Sequence, residues 1–187
     1  RLLAVTSGDQ DGIGLEVSLK ALRAHGREAD VVFCLFRAPT LKLAEQRKLH
    51  AVFKRNLTVH WRDSSVKSLH ALLEDVSPEQ YDLIEILSDA SPALWVKRVA
   101  ALCSEGFFTG IVTAPLSKTE IKAAGMKEIG HTQILESVTR VKPAFMGFIG
   151  DKFSVVLGSG HLPVTRAGAD YLKNFDASVA AADQLRQ

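Results

Sequence analysis

Cysteine is scarce in this chain, and that scarcity excludes several kinds of chemistry. The 187 residues hold two, Cys34 and Cys103. Neither belongs to a Cys-x-x-Cys pair, which argues against a redox motif or a thiolate metal site. Cys34 sits inside Val31-Val-Phe-Cys-Leu-Phe36, where a thiol behaves as a small core hydrophobe. Two isolated thiols without a disulfide framework fit a reducing compartment. Charge imbalance is also small: 23 basic and 21 acidic residues leave +2. The basic residues are scattered, so neither nucleic acid nor a membrane surface is an expected partner. No apolar run reaches the length of a membrane span, and no signal-peptide pattern stands behind Arg1. The expectation is a cytoplasmic protein. Internal repeats and low-complexity linkers are missing too.

What is present is a soluble globular profile, 47% apolar and 24% charged, of a size that suits one domain or one large lobe. Strand-like and helix-like segments alternate. Leu2 to Thr6 reads as a buried strand, followed by a glycine-rich turn. Leu15, Leu19 and Leu22 then recur at helical spacing, with Gly26 as a stop. Residues 30–36 read as a second buried strand, 40–49 as a helix after Pro39, and 66–73 as another helix. Leu83 to Leu87 and Gly110 to Thr113 are strands, with a helix over 94–103 between them. Residues 144–149 and 153–157 pair across Gly150-Asp151, a hairpin turn signal. Leu172, Phe175, Val179, Ala182 and Leu185 predict a final helix. Its apolar stripe either docks on its own sheet or requires further chain or a partner to cover it. Apolar strands alternating with helices predict a layered α/β/α fold with a mostly parallel sheet. In such folds ligands collect at the carboxyl ends of the strands.

The segments richest in chemistry lie at those ends. Thr113-Ala-Pro-Leu-Ser-Lys118 closes an apolar strand, and Gly130-His131-Thr132 precedes a helical pattern. Lys118 can fix a phosphate or carboxylate as a point charge, or stand solvated in the first turn of a helix. Thr132 suits an N-cap, and His131, flanked by glycine at a helix start, suits an anionic ligand group. Thr6-Ser-Gly8-Asp-Gln-Asp11-Gly12-Ile-Gly14 joins the first strand to the first helix. Its spacing fits neither the dinucleotide fingerprint nor the P-loop. A tight turn without a ligand explains its glycines equally well, and Asp9 and Asp11 suit a helix cap or a polar substrate group. His161, in Gly158-Ser-Gly160-His161-Leu-Pro163, is placed at a strand end for a divalent metal. A catalytic metal takes about three protein ligands, so this histidine needs company.

Together these segments resemble the 4-hydroxythreonine-4-phosphate dehydrogenase family of pyridoxal phosphate biosynthesis. The matching landmarks are Thr6-x-Gly8-Asp9-x-x-Gly12-Ile13-Gly14, Thr113-Ala-Pro115-x-x-Lys118, Ala124-Gly125, Gly130-His131-Thr132 and His161-Leu162-Pro163. The resemblance implies a fold like the isocitrate and isopropylmalate dehydrogenases, two lobes about a cleft in a homodimer, with this chain as the N-terminal part. It implies oxidation of a phosphorylated hydroxy amino acid by NAD or NADP, with loss of carbon dioxide from the β-keto product. A divalent metal (zinc, magnesium or cobalt) would assist. By matching position, His131 and Thr132 are substrate-binding, Lys118 joins them, and His161 is one of three histidine metal ligands. The family's other two ligands and most of its phosphate and nucleotide contacts fall downstream of Gln187. The chain departs from the family at Ser7, Gln10 and Leu15, where prolines are usual, and at Gln133, where glutamate is usual. Two further readings follow: a relative acting on another phosphorylated sugar acid, or a short non-catalytic paralogue that binds a ligand or dimerises.

Overall fold

A computed structural model describes residues 1–25, 30–160 and 162–185. They form two compact units, residues 1–139 and 140–187. In the first, β1 (Leu2–Thr6), β2 (Val32–Arg37), β3 (Asn56–His60), β4 (Leu83–Leu87) and β5 (Gly110–Thr113) make one sheet in the order β3-β4-β2-β1-β5. Every pairing is parallel. The connecting helices are α1 (Gly14–His25), α2 (Leu43–Val52), α3 (Val66–Leu73) and α4 (Pro92–Ser104), followed by α5 (Lys118–Ala123) and α6 (His131–Thr139).

Strand order and handedness together dictate the layers. The crossovers through α1 and α2 step along the sheet one way, and those through α3 and α4 step back. Right-handed connections must therefore put the two pairs of helices on opposite faces. The core divides accordingly. Leu2, Ala4, Cys34, Phe36, Ile84 and Ile86 pack with Leu69 of α3 and with Trp95, Val99 and Leu102 of α4. Val5, Phe33, Leu35 and Leu83 pack with Leu19 and Leu22 of α1 and Leu49 of α2. The alternation within each strand is the period of two that sends successive side chains to opposite faces. The result is the expected α/β/α sandwich around a parallel sheet.

Several boundaries follow from local chemistry. The hydroxyls of Ser65, Ser91 and Ser117 cap α3, α4 and α5 by accepting from Ser68, Ala93 and Glu120 backbone N–H groups. Pro92 stands at the first position of α4, where its missing N–H costs nothing. The expected strand over 30–36 runs instead to Arg37, which is buried at 2% exposure. Its Nε donates to Glu85 Oε2 at 2.7 Å, and Nη1 donates to the carbonyls of Ala38 and Pro39. Glu85 Oε1 also lies 2.6 Å from His50 Nε2, so this charge cluster is internally satisfied. The helix expected from Thr40 begins at Leu43. The edge strand β3 lies outside the expected set, because Asn-Leu-Thr-Val-His is polar and only part-buried. Gly26 lies outside the described residues.

In the second unit β6 (Gly147–Phe148) and β7 (Val155–Val156) form the expected antiparallel hairpin. Both are two residues long. The long helix α7 (Val164–Gln184) follows, carrying the predicted apolar spacing. No helix among the described residues is long and apolar enough to cross a membrane.

Candidate active site at the ends of β1 and β5

The chain leaves β1 toward β2 and returns from β4 to β5 on β1's other side. The carboxyl ends of β1 and β5 therefore form the topological switch point of the sheet, where open α/β folds hold their ligands. Both loops singled out in the sequence, 7–13 and 114–117, leave the sheet there.

The loops are in close contact. Thr6 pairs with Thr113, and the Ala114 N–H donates to the Thr6 carbonyl at 2.9 Å. Gly8 has φ +69°, and a Cβ there would collide with the Pro115 carbonyl oxygen and crowd Ala114. A Cβ on Gly14 would strike the Ser7 carbonyl oxygen and the Ala114 methyl. These two glycines thus serve the approach of one loop to the other. Asp9 then joins them in both directions. Its N–H donates to Pro115 O at 3.2 Å, and its Oδ2 accepts from the Ser117 N–H at 2.7 Å. The sequence suits Asp9 to capping its own helix or holding a substrate group; in the structure its carboxylate serves the neighbouring loop. Beside it is a cavity of about 450 Å³ lined by Asp9, Gln10, Asp11, Gly12, Ser117, Thr119 and Glu120.

His131 enters from α6. It is the first residue of that helix, so Thr132 lies within the first turn and is not the N-cap. The Ile134 N–H donates to Gly130 O, which puts Gly130 at the cap. Gln133 reaches back so that its Oε1 accepts from the Ile129 N–H at 2.9 Å. A glutamine supplies the same acceptor oxygen as the family's glutamate, so the departure at this position leaves the helix start intact. Ile134 is buried with Ala93, Val96 and Ile121, which fixes α6 against α4 and α5. Burial lowers the His131 pKa from its ordinary value, opposed first by the Ala114 backbone and then by the Asp9 carboxylate.

The site carries a set of polar atoms with nothing to satisfy them. Thr6 Oγ1, Asp9 Oδ1 and His131 Nε2 are buried without a hydrogen-bond partner among the described residues. Buried polar groups are normally paired, and an orphan costs about 1–3 kcal/mol. Three such atoms on elements that meet at the switch point make it the candidate place for a polar ligand. In the sequence Thr6 reads as a strand end and as the first residue of a landmark loop, without a role of its own; its signal is a hydroxyl closing an otherwise apolar strand.

The other expected residues divide. Thr132 is exposed one residue after His131. Lys118 is exposed at the first position of α5, immediately after the Ser117 cap, in the solvated setting allowed for it. His161 lies outside the described residues. Among those described, no group of three His, Cys, Asp or Glu side chains is arranged to hold a metal ion. The cysteines are as expected: Cys34 is buried, and burial pushes its thiol far above the ordinary range, while half-buried Cys103 is raised by the same cause.

Comparison with known proteins bears on the family and the fold. The family described as "Pyridoxal phosphate biosynthetic protein PdxA" matches residues 35–174. D-threonate 4-phosphate dehydrogenase of Pectobacterium atrosepticum is 27% identical over 172 residues, covering 89% of this chain and 52% of that protein. 4-hydroxythreonine-4-phosphate dehydrogenase of Marinobacter nauticus is 29% identical over 180 residues, covering 90% of this chain and 50% of that protein. The chain spans about half the length of the curated relatives it matches. A crystal structure of 4-hydroxythreonine-4-phosphate dehydrogenase from Klebsiella pneumoniae shares the fold with a TM-score of 0.58 at 20% identity, covering 89% of this chain and 52% of that one. The parallel sheet, the register of its loops and this match over most of the chain lead to one assignment: the chain belongs to the PdxA family of pyridoxal phosphate biosynthetic proteins.

Proposed function

We propose that this chain is the N-terminal part of a dehydrogenase that oxidises 4-phosphohydroxy-L-threonine in pyridoxal phosphate biosynthesis. The β-keto acid so formed loses carbon dioxide. The observation that carries the reading is the set of buried, unpartnered atoms of Thr6, Asp9 and His131 around the β1 and β5 ends. It is supported by relatives named as dehydrogenases of phosphorylated four-carbon acids. In this reading His131 and Thr132 bind the substrate from the start of α6. Lys118 supplies a point charge for its phosphate or carboxylate. The chemistry that NAD or NADP would supply is acceptance of the hydride. The loop over 7–13 lacks the dinucleotide fingerprint, and no metal-holding group of three lies among the described residues. His131, Thr132 and Lys118 are proposed to bind and orient the substrate. His161 is proposed as a ligand for zinc, magnesium or cobalt, completed by further histidines. The protein is proposed to work in the cytoplasm as a homodimer.

A second reading has a specific observation behind it: the Pectobacterium relative is named for D-threonate 4-phosphate. Both substrates present a phosphate, a secondary hydroxyl and a carboxylate, and differ at carbon 2 in bearing an amino or a hydroxyl group. The test is NAD(P) reduction by the full-length protein with each substrate. Turnover of 4-phosphohydroxy-L-threonine is expected. Turnover of 4-phospho-D-threonate alone would transfer the assignment to the second reading. If neither is oxidised, and His131→Ala leaves binding of both unchanged, the dehydrogenase reading fails.

A further inference from the structure

A second cavity, of about 760 Å³, lies against α4, between Val66 of α3 and the segment over 124–128 that leads into α6. None of Thr6, Asp9, Lys118, His131 or Thr132 lines it. Steps of three and four residues place Leu94, Lys97, Arg98 and Ala101 on one face of α4. The helix has spent its other faces: Trp95, Val99 and Leu102 pack on the sheet, and Ala93 and Val96 pack with Ile121 of α5 and Ile134 of α6.

The walls combine apolar surface with charge. Leu94, Met126 and Val138 supply the first, while Lys97, Arg98 and Lys127 set three cations against one carboxylate, Glu128. Lys97 Nζ donates to Glu128 at 3.0 Å, and Ser137 Oγ donates to the same oxygen at 2.8 Å. Two cations are left over. Lys127 is exposed. Arg98 Nη1 is buried without a hydrogen-bond partner, and the guanidinium carbon lies 5.8 Å from the centre of the Trp61 ring. Neither residue makes an ion pair among those described. The carboxylate of Asp63, which feels the Arg98 charge, is taken by hydrogen bonds from Ser68 and Ser65. A buried donor on a charged group costs more to leave unpaired than a neutral one. Stacking on Trp61 thus steadies a donor that has nothing to donate to.

We propose that this cavity binds a phosphate monoester with an apolar or aromatic body, the phosphate held by Arg98 and Lys127 and the body by Leu94, Met126 and Val138. Charge selects the phosphate. A monoester carries about −1.5 to −2 near neutral pH, which matches two free cations, whereas a carboxylate brings one charge. The guanidinium fork also presents paired donors that suit phosphate oxygens. The apolar walls select the body, since the small polar acids proposed as substrates would leave them facing water. This is a site for a second ligand, and it stands or falls apart from the dehydrogenase reading.

Isothermal titration calorimetry of the full-length protein with phenyl phosphate tests it, beside inorganic phosphate and phenol as the two halves of that probe. Phenyl phosphate is expected to bind more tightly than either half, and to keep its affinity in His131→Ala. Arg98→Gln and Lys127→Gln should each weaken it by about tenfold or more. No binding to the wild type, or unchanged affinity in a folded Arg98→Gln variant, would overturn the proposal. So would loss of binding in His131→Ala, which would move the probe to the β1 and β5 ends. Inorganic phosphate binding as tightly as phenyl phosphate would overturn the apolar body. Should Arg98→Gln fail to fold, the exposed Lys127 decides: unchanged affinity in Lys127→Gln overturns the proposal by itself.

Discussion

Residues 1–139 and 140–187 use similar side chains to different ends. In the first unit β2 and β4 are buried along their whole lengths, and Trp61, Trp95 and Phe36 lie inside the core. In the second unit Phe153 and Leu172 are each 75% exposed, and the buried residue of α7 is a serine, Ser178. The difference is one of layers. A sheet with helices on both faces closes its own core, whereas a two-residue hairpin and one helix have too little surface to cover one another. Thr6, Asp9 and His131, with their buried unpartnered atoms, belong to the unit that closes its own core. That is sound physically, because a ligand-binding group must be held by something rigid to be useful.

Substitutions test this contrast directly. The largest effect is expected from Trp95→Ala, which empties the α4 face of the sheet and should cost about 3–5 kcal/mol in denaturant unfolding. Glu85→Ala comes next. It strands the buried Arg37 guanidinium without its carboxylate, at a cost of about 3 kcal/mol in the same assay. Gly8→Ala should cost about 1–3 kcal/mol, through its positive φ and the collision with Pro115 O. It should also weaken ligand binding beyond that, by parting the two loops. In the second unit Leu172→Ser should stay within about 0.5 kcal/mol. A loss as large as that of Trp95→Ala would erase the contrast, since it would mean α7 is as well packed as α4.

The smallest effect is expected in acid. Ser137, the Glu128 backbone and Lys97 hold the Glu128 carboxyl down at about 2. A depressed carboxylate stabilises the fold above its unfolded pKa and loses that contribution as pH falls through the folded value. The melting temperature of Glu128→Gln should therefore lie below wild type at neutral pH. The gap should narrow from about pH 5 and close near pH 2. A gap that persists at pH 2 would remove ionisation as its cause.

How much of this is legible in the sequence depends on how far apart the interacting residues lie. Helix α3 and strand β4 match their expected bounds, because Ser65 caps one and an unbroken apolar run makes the other. The edge strand β3 escapes because its pleat is only half covered, so its sequence need not alternate cleanly. Arg37 escapes because a buried cation is intelligible only beside Glu85, 48 residues away. At the site, His131 and the two loops are visible as motifs. Their union is not, since nothing in Asp9 announces a bond to Ser117, 108 residues on.

The amino-acid pattern suffices for the apolar strands and the amphipathic helices, and for the freedom that glycines at 8 and 14 give the backbone. Those are local matters, settled by φ/ψ preferences and by the partition of apolar groups from water. That β5 lies beside β1, with the sheet order reversing between them, follows from the folded chain alone. That adjacency lets a carboxylate, an imidazole and a threonine hydroxyl be buried at the switch point with hydrogen-bonding capacity to spare. It is a property of chain topology and cannot be read from any short stretch of residues.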